Sequence, residues 1–327
     1  MSTTITIRHS APSLFIIGTP FQALCAIEAM HEFNITDYKI LLGLINTPRN
    51  EQLFYLLEQY HLAYEIVSID YIITKKDRLK AFIPRLNKYR NIFIGDVNNE
   101  LYQFMAFRYG ANRSHIIYLD DGAGTISFLI GERKMDKKFS YYYNLLSYWR
   151  QIKYNKTFFT LYWDIDSPGH QLVPNLFKYI SSQSTKNDDR RNIYIAGTVT
   201  NGFYVASNNY LFYVESILRE LKSSHPKQSI IYIPHGRDVY DGWDTLCARY
   251  NVEVVRPKVS IELYLMSLQY QPKEIYGFTS SALFNLKKIF PKSEVYNILF
   301  PNENIPDNYI LISDYYLKHG INKLLRK

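Results

Sequence analysis

The sequence predicts two α/β domains, each built around a doubly wound parallel sheet. In the first half of the 327-residue chain, short apolar or β-branched runs alternate with amphipathic segments of helical spacing, and the alternation resumes in the second half. Such alternation favours parallel strands with helices on both faces of the sheet. Between the halves, 181–191 is polar and aperiodic, and it is therefore the best candidate for a linker.

The predicted strands and helices follow from the length and periodicity of these runs. In the first domain, strands are expected at 14–17, 40–44, 64–69, 92–94 and 116–119, and helices at 51–60, 78–89 and 100–109. In the second domain, strands are expected at 193–196, 230–233, 252–255, 274–276 and 294–298, and helices at 210–222, 261–269 and 282–290. We expect the domains to cover 1–185 and 186–310, with a C-terminal helix at 311–327 that crosses back to the first domain.

Two Rossmann-like domains with a cleft between them form the layout called GT-B. This layout serves glycosyltransferases, epimerases and other nucleotide-sugar enzymes, so the function must be argued from the residues of the site. Ligands in open α/β sheets bind beyond the carboxyl ends of the strands, and the residues that follow each predicted strand are therefore the candidates.

Composition limits the classes of function. Hydrophobic residues make up 47% and charged residues 21% of the chain, which is globular rather than disordered composition. The net charge of +8 indicates an anionic partner, and the 30 tyrosines suit a sugar-binding cleft but are equally explained by an AT-rich genome. Cys25 and Cys247 are typical of buried thiols in a reducing compartment. With no recognisable signal peptide and no run long enough to span a bilayer, we expect a cytoplasmic protein.

The first predicted strand is followed by Gly18-Thr19-Pro20-Phe21-Gln22. Thr19 at the N-cap, Pro20 at the first helical position and Gln22 at the third match a capping box with proline in its preferred place. One interpretation is a well-built helix start. The other is that this turn faces the cleft, where Thr19, Pro20 and Gln22 contact a sugar.

The fifth predicted strand is followed by Asp120, Asp121 and Gly122. Since side chains alternate along a strand, the two carboxylates point in different directions, so that one faces the cleft and the other anchors the loop. A glycine at this point lets the backbone approach a ligand closely. A positioned carboxylate can take the proton of an acceptor hydroxyl as the new bond forms, although an ordinary turn rich in Asp and Gly also explains the pattern.

In the second domain, His235 and Arg237 follow the strand at 230–233. A histidine there can protonate a departing phosphate and an arginine can add positive charge, but such a histidine is more often a surface or loop-packing residue. His225 lies at the opposite sheet end and is interpreted as part of a helix-terminating turn. Gly197 and Thr198, which follow the strand at 193–196, are also assigned to the donor side.

Three hydroxyl residues, Thr279, Ser280 and Ser281, follow the strand at 274–276 and open a helix. The first N–H groups of a helix have no partner inside it and bind phosphate readily. Ordinary N-capping by serine explains the same residues, and the two interpretations are compatible because a capping residue can also hold a phosphate.

The order of these motifs resembles that of the bacterial sialyltransferases, especially the lipooligosaccharide sialyltransferase and capsular polysialyltransferase groups. Those enzymes carry an acidic-acidic-Gly motif in the first domain, then a His-Pro motif and a Ser-Ser/Thr motif in the second. Here 120–122 matches the first and 280–281 the third, whereas His235 is followed by Gly236 instead of proline. The opening 18–22 is also similar to the family's first loop, and the resemblance spans about 14–290.

The resemblance implies an inverting, metal-independent transfer of sialic acid or a related nonulosonic acid, such as pseudaminic acid, from its CMP donor to a hydroxyl of a capsule or lipooligosaccharide. It implies that Asp121 is the general base, that His235 is the general acid toward the leaving CMP phosphate, and that Ser280 and Ser281 hold that phosphate. Asp120 is then expected to shape the loop. No cofactor beyond the CMP-linked donor is expected, and the Asp-x-Asp letters at 164–166 lie outside a strand–helix junction and are interpreted as a loop.

The expected partners are the CMP-linked donor and a glycan or glycolipid acceptor. A basic-aromatic stretch at 133–156 is typical of a segment that lies on the anionic inner membrane or binds an acidic glycan, and equally of a solvated excursion of the first domain. Rival functions are a UDP- or GDP-sugar transferase and a UDP-sugar epimerase on the same fold. A nucleic-acid-binding protein is disfavoured, because the basic residues are dispersed and no recognised binding motif is present.

Overall fold

The structure, a computed structural model, describes residues 11–44, 49–68, 88–130, 156–184, 188–200, 206–300 and 307–325, together with Ile5, Ile7 and Ile305. The chain divides into two compact units, Met1–Tyr179 and Ile180–Lys327. The dividing point lies within a short helix, Lys178–Ser182, just ahead of the expected linker. None of the helices in the described ranges is long and apolar enough to cross a membrane.

The first unit contains a parallel sheet of seven strands in the order β3-β2-β1-β4-β5-β6-β7. The strands are β1 Ser13–Ile17, β2 Tyr38–Leu44, β3 Tyr64–Ser68, β4 Tyr89–Ile94, β5 Gly110–Tyr118, β6 Thr157–Thr160 and β7 Gln171–Pro174. The helices are α1 Pro20–Glu32, α2 Arg49–Gln59, α3 Glu100–Tyr109 and α4 Ala123–Leu129. The strand order reverses between β1 and β4, which is where open α/β sheets bind their ligands.

The centre of this sheet is apolar on both faces. All five residues of β1 are buried, and the ring of Phe15 stacks on Phe93 of β4 with centroids 4.5 Å apart. Helix α1 is buried from Pro20 through Met30, so it packs as a core helix rather than as a surface helix. Burial of each large apolar side chain contributes roughly 1.5–3 kcal/mol, which stabilises the packing of α1 against the sheet.

The second unit contains a parallel sheet of six strands in the order β10-β9-β8-β11-β12-β13. The strands are β8 Arg190–Ala196, β9 Ile230–Ile233, β10 Glu253–Val254, β11 Gln271–Gly277, β12 Glu294–Leu299 and β13 Ile321–Leu325. The helices are α5 Lys178–Ser182, α6 Ser207–Ser224, α7 Trp243–Ala248, α8 Ile261–Met266, α9 Ser281–Ile289 and α10 Asp307–Lys318. One face packs around the buried rings of Tyr210, Tyr232 and Trp243.

The predicted alternation of strands and helices is confirmed in both units, although helices α4, α5 and α7 were not predicted and other elements differ. The expected helix at 311–327 is helix only to Lys318, after which Gly320, at a φ of 76°, turns the chain into β13 beside β12. Strands β6 and β7 were not predicted. Of the expected helix at 78–89, 78–87 lies outside the described residues and Tyr89 already belongs to β4.

Most of the basic-aromatic stretch, 133–155, also lies outside the described residues. Its last residue, Lys156, is buried, with its Nζ 5.4 Å from the centroid of the Phe128 ring. Burial lowers the pKa of this ammonium group to about 8. Lys156 is therefore not part of a solvated basic face.

Candidate active site

The loops after β1 and β5 are joined beside the point where the first sheet reverses its strand order. The loop after β1 leads into α1 through Thr19, whose Oγ1 accepts a hydrogen bond from the N–H of Gln22 at 3.2 Å, and Pro20 takes the first helical position. This confirms the predicted helix start. The second half of the capping box differs, because the Gln22 side chain accepts from the N–H of Gly18 and does not return to Thr19.

The Gln22 side chain joins the loop after β1 to the loop after β5. Its Oε1 accepts from the Gly18 N–H at 2.8 Å, and its Nε2 donates to Asp121 Oδ1 at 2.6 Å. Gln22 is only 2% exposed. The geometry therefore places Gln22 against the predicted base and favours this contact over the expected direct contact with a sugar.

Asp120 and Asp121 diverge, as the alternation of side chains along a strand requires. Asp120 is fully buried: its Oδ1 accepts from Thr160 Oγ1 at 2.6 Å and its Oδ2 accepts from the Leu161 N–H at 2.8 Å. Asp121 is half-buried, and its backbone N–H donates to Thr125 Oγ1 at 2.9 Å. Asp120 therefore ties the loop to the end of β6, while Asp121 lies toward the loop after β1.

Two glycines shape the backbone around Asp121. Gly122 has a φ of 66° and a ψ of −131°, a backbone conformation that residues with a Cβ rarely adopt. It turns the chain directly into α4. A Cβ at Gly124 would lie 3.3 Å from Asp121 Oδ2. The Asp-Gly pattern thus builds a tight turn in which the second carboxylate has room beside the start of the helix.

In the second unit, His235 follows β9 and is half-buried. Its Nδ1 accepts a hydrogen bond from the backbone N–H of Arg237 at 3.1 Å. A backbone N–H can only donate, so the neutral imidazole carries its proton on Nε2. Nε2–H is a donor of the kind that a departing phosphate requires. The Arg237 side chain is exposed.

Asp238, for which the sequence predicted no role, organises this segment. Its carboxylate accepts from the N–H and Oγ1 of Thr200, at 3.2 and 2.9 Å, and from Trp243 Nε1 at 2.8 Å. Its own N–H donates to the His235 carbonyl at 2.7 Å. Asp238 therefore connects the loop after β9 with the loop after β8 and fixes the backbone that carries the histidine.

The predicted donor-side residues Gly197 and Thr198 have backbone N–H groups that are used within the unit. Gly197 donates to the Ile233 carbonyl at 2.8 Å, and Thr198 donates to Tyr210 Oη at 2.9 Å. A Cβ at Gly197 would lie 2.5 Å from Tyr232 Oη, so glycine is required for packing. A contact between these two residues and the CMP-linked donor must therefore use atoms other than their backbone N–H groups.

The start of α9 holds the third predicted group. Ser280 is the N-cap, and its Oγ accepts from the Ala282 N–H at 3.3 Å; Ser281 is the first helical residue. Thr279 has a φ of 44°, which is unfavourable for a β-branched residue, and its N–H donates to Asn297 Oδ1 at 2.7 Å.

Thr279 Oγ1 has no hydrogen-bond partner among the described residues, although the residue is only 4% exposed. Buried hydroxyls are normally paired, so an unpaired one marks a place where a water molecule or a ligand atom can complete the hydrogen bond. Strained backbone also concentrates at ligand-binding sites. The two observations together support the interpretation of this helix start as an anion site.

Solved structures resemble this chain, whereas comparison of its sequence gives no match. No protein-family model matches the sequence, and no curated protein matches it significantly. An α/β-galactoside α-2,3-sialyltransferase from the luminous marine bacterium Photobacterium phosphoreum is similar over 96% of this chain and 98% of its own, with a TM-score of 0.55 and 13% identity. UDP-GlcNAc 2-epimerase from Neisseria meningitidis, solved with UDP-GlcNAc bound, is similar over 95% of both chains, with a TM-score of 0.50 and 14% identity. The chain has the GT-B fold.

In this GT-B chain, the residues proposed from the sequence all lie at the carboxyl ends of strands: Asp120 and Asp121 after β5, His235 after β9, and 279–281 after β11. Asp164 and Asp166 lie in the turn between β6 and β7, which confirms their interpretation as a loop. In the described part of the chain, no group of three or more His, Cys, Asp or Glu residues is placed to hold a metal ion.

Asp120 is expected to make the stability of the protein depend on pH. Burial raises its pKa to about 7, against two hydrogen bonds, from Thr160 and Leu161, that favour the charged form. Because its pKa is higher in the folded chain than in the unfolded chain, where it is about 3.9, the folded state holds this proton more tightly. The contribution of Asp120 to the free energy of unfolding therefore falls as the pH rises from about 4 to about 7, by at most roughly 1.4 kcal/mol per pH unit.

Thermal unfolding of the wild type and Asp120→Asn between pH 5 and pH 8 tests this expectation. The wild type should lose stability relative to the variant as the pH rises. Asp164→Asn is the matched control, because Asp164 is an exposed aspartate in the turn after β6. Parallel curves for the wild type and Asp120→Asn would show that Asp120 does not titrate in this range.

Proposed function

We propose that the protein is an inverting, metal-independent glycosyltransferase that moves sialic acid or a related nonulosonic acid from a CMP donor to a hydroxyl of a cell-surface glycan. The observation that carries the proposal is the placement of Asp121. A carboxylate at the end of β5, beside the reversal of strand order, is clamped by a buried amide in a GT-B fold. The matches of 120–122, His235 and 280–281 to sialyltransferase motifs support the choice of donor.

In the proposed reaction, Asp121 takes the proton of the acceptor hydroxyl. A hydroxyl oxygen is a poor nucleophile until that proton leaves, and a positioned carboxylate removes it as the new bond forms. The acceptor oxygen then bonds to the anomeric carbon of the donor sugar while the bond from that carbon to the CMP phosphate oxygen breaks. One displacement of this kind inverts the configuration at the anomeric carbon.

The second unit supplies groups suited to the departing CMP. His235 Nε2–H donates to the phosphate oxygen that gains negative charge, and the exposed Arg237 adds a positive charge to the same segment. The phosphate binds at the start of α9, through Ser280, Ser281 and the unpaired Thr279 hydroxyl. These roles require no metal ion, because hydrogen-bond donors and a positive charge of the protein stabilise the negative charge on the leaving phosphate.

Nucleotide binding tests the donor assignment. We expect CMP to bind, and UDP and GDP to bind at least tenfold more weakly, in isothermal titration calorimetry. Thr279→Val keeps the shape of the side chain and removes the unpaired hydroxyl, so it should weaken CMP binding about tenfold, or about 1.4 kcal/mol. Ser224→Ala is the control, because Ser224 ends α6 at the opposite end of the sheet.

Measurements of turnover identify the donor and acceptor substrates. Mass spectrometry with a panel of CMP-linked nonulosonic acids and candidate glycan acceptors should show transfer from at least one donor. Tight binding of UDP or a UDP-sugar without binding of CMP would overturn the proposal in favour of a UDP-sugar transferase or epimerase. Equal loss of CMP binding in Thr279→Val and Ser224→Ala would remove the start of α9 from the donor site.

A further inference from the structure

We propose that Gln22 is a positioning residue, which orients the Asp121 carboxylate and keeps it ionised. The inference rests on the proposed function in that Asp121 is taken as the base. The hydrogen bond from Gln22 Nε2 to Asp121 Oδ1, at 2.6 Å, joins residues 99 positions apart in the sequence. It therefore reflects the tertiary structure of the unit and not a local turn.

The orientation of the Gln22 amide is fixed by its two partners. Oε1 faces the backbone N–H of Gly18, at 2.8 Å, and that group can only donate. Nε2 must consequently face Asp121, and an amide N–H can only donate to it. The amide therefore always offers a hydrogen-bond donor to Asp121 Oδ1, and an ionised carboxylate is the partner that accepts it best.

The surroundings of Gln22 are built to hold this amide in place. Its backbone lies in the first turn of the buried helix α1, capped by Thr19. Gly95, which follows β4, leaves the space that the amide fills, because a Cβ there would lie 2.5 Å from Gln22 Oε1. Gln22 thus links the ends of β1, β4 and β5, the three neighbouring strands at the reversal of strand order.

Two titratable groups of the described residues, Asp120 and Tyr102, lie near Asp121, and neither can supply a positive charge. Asp120 precedes it in the chain, and its carboxylate is turned toward Thr160 and Leu161. Tyr102 of α3 donates its hydroxyl to the Gly43 carbonyl at 2.9 Å, and its pKa is raised by burial and by the charges of Asp96 and Asp121. A hydrogen bond from a neutral amide favours the charged form of Asp121 without adding another charge.

Gln22→Met tests the proposal, because methionine has a similar length but cannot donate a hydrogen bond. We expect the pH midpoint of the Asp121 carboxyl carbon, followed by carbon-13 NMR of the full chain, to move to higher pH. We also expect kcat to fall roughly 10–100-fold, as for a misplaced catalytic group, with the KM for the donor changed less than about twofold. The acid limb of the kcat profile should move in the same direction as the NMR midpoint.

Gln103→Met is the matched control. Gln103 is also a buried glutamine of the first unit, and its Nε2 also donates over 2.6 Å, but to the Val97 carbonyl instead of a carboxylate. This variant should lower stability and leave the Asp121 midpoint unchanged. A purely structural role of Gln22 would move stability in both variants and the midpoint in neither.

An unchanged Asp121 midpoint in Gln22→Met, or an equal shift in Gln103→Met, would overturn the inference. The NMR titration needs no turnover, so it remains decisive if the wild type transfers no sugar from any CMP donor. That second result would reject the proposed function and leave the Gln22–Asp121 coupling to be judged on the titration alone.

Discussion

Replacing Asp121 with alanine is expected to abolish detectable transfer while CMP binding stays within about twofold of the wild type. A group that accepts a proton in the transition state contributes typically 10²–10⁴-fold to the rate, and no other carboxylate of this loop is placed to substitute. Asp120 is fully buried against Thr160 and Leu161. CMP binding should persist because the groups proposed to hold the nucleotide belong to the second unit.

The comparison of Asp121→Ala with Asp120→Ala separates catalysis from folding. Single-turnover rates and CMP calorimetry should show a catalytic defect with normal binding for Asp121→Ala. Asp120→Ala should instead lower thermal stability, because it leaves the Thr160 hydroxyl and the Leu161 N–H without their acceptor. If Asp121→Ala keeps most of its activity and Asp120→Ala, still folded, loses it, the two roles are reversed.

The contrast between these aspartates shows what the sequence can predict. Alternation along β5 requires the two carboxylates to diverge, and the Asp-Gly spacing requires a tight turn, so both features follow from local rules. Which aspartate is anchored depends on Thr160 and Leu161, at the end of a strand that was not predicted. Only two of the four residues of β6 are apolar, Phe158 and Phe159, whereas the predicted four-residue strand at 230–233 is apolar throughout.

Gln22 is a second case in which local sequence rules predict the position of the backbone but not the contact of the side chain. Its place in the first turn of α1 followed from Thr19 and Pro20, since capping depends on neighbours in sequence. Its side chain was expected to contact a sugar, yet it is buried against Asp121, 99 residues away. Only the sheet order, in which β1, β4 and β5 are neighbours, brings these two residues together.

In the C-terminal segment, the amphipathic pattern predicted a longer helix than the structure contains. The amphipathic pattern of α10 continues past Lys318, and it predicted a single helix over 311–327. Gly320 follows the last helical turn, and a glycine at that position commonly ends a helix in a left-handed conformation. The helix ends there, and the apolar residues after it pair with β12 as an edge strand.

His235→Ala is expected to lower kcat by roughly 10²–10⁴-fold, the usual range for a group that transfers a proton. The argument depends on the tautomer: the Arg237 N–H donates to Nδ1, so the donor is Nε2–H. Loss of that donor should slow the departure of a phosphate more than that of a better leaving group. The rate deficit should therefore shrink when the CMP donor is replaced by an aryl glycoside of the same sugar whose phenolate is a weaker base than the CMP phosphate.

His225→Ala provides the matched control. His225 is also a histidine of the second unit, but it caps the end of α6 and lies near Glu274, at the opposite end of the sheet. It should alter stability without a leaving-group dependence.

Asp238 holds the backbone of His235 through Thr200 and Trp243, so Gly236 does not leave this segment unsupported where the resembling family has proline. A loss of less than about tenfold in His235→Ala would show that this support fixes the histidine for a role other than proton transfer.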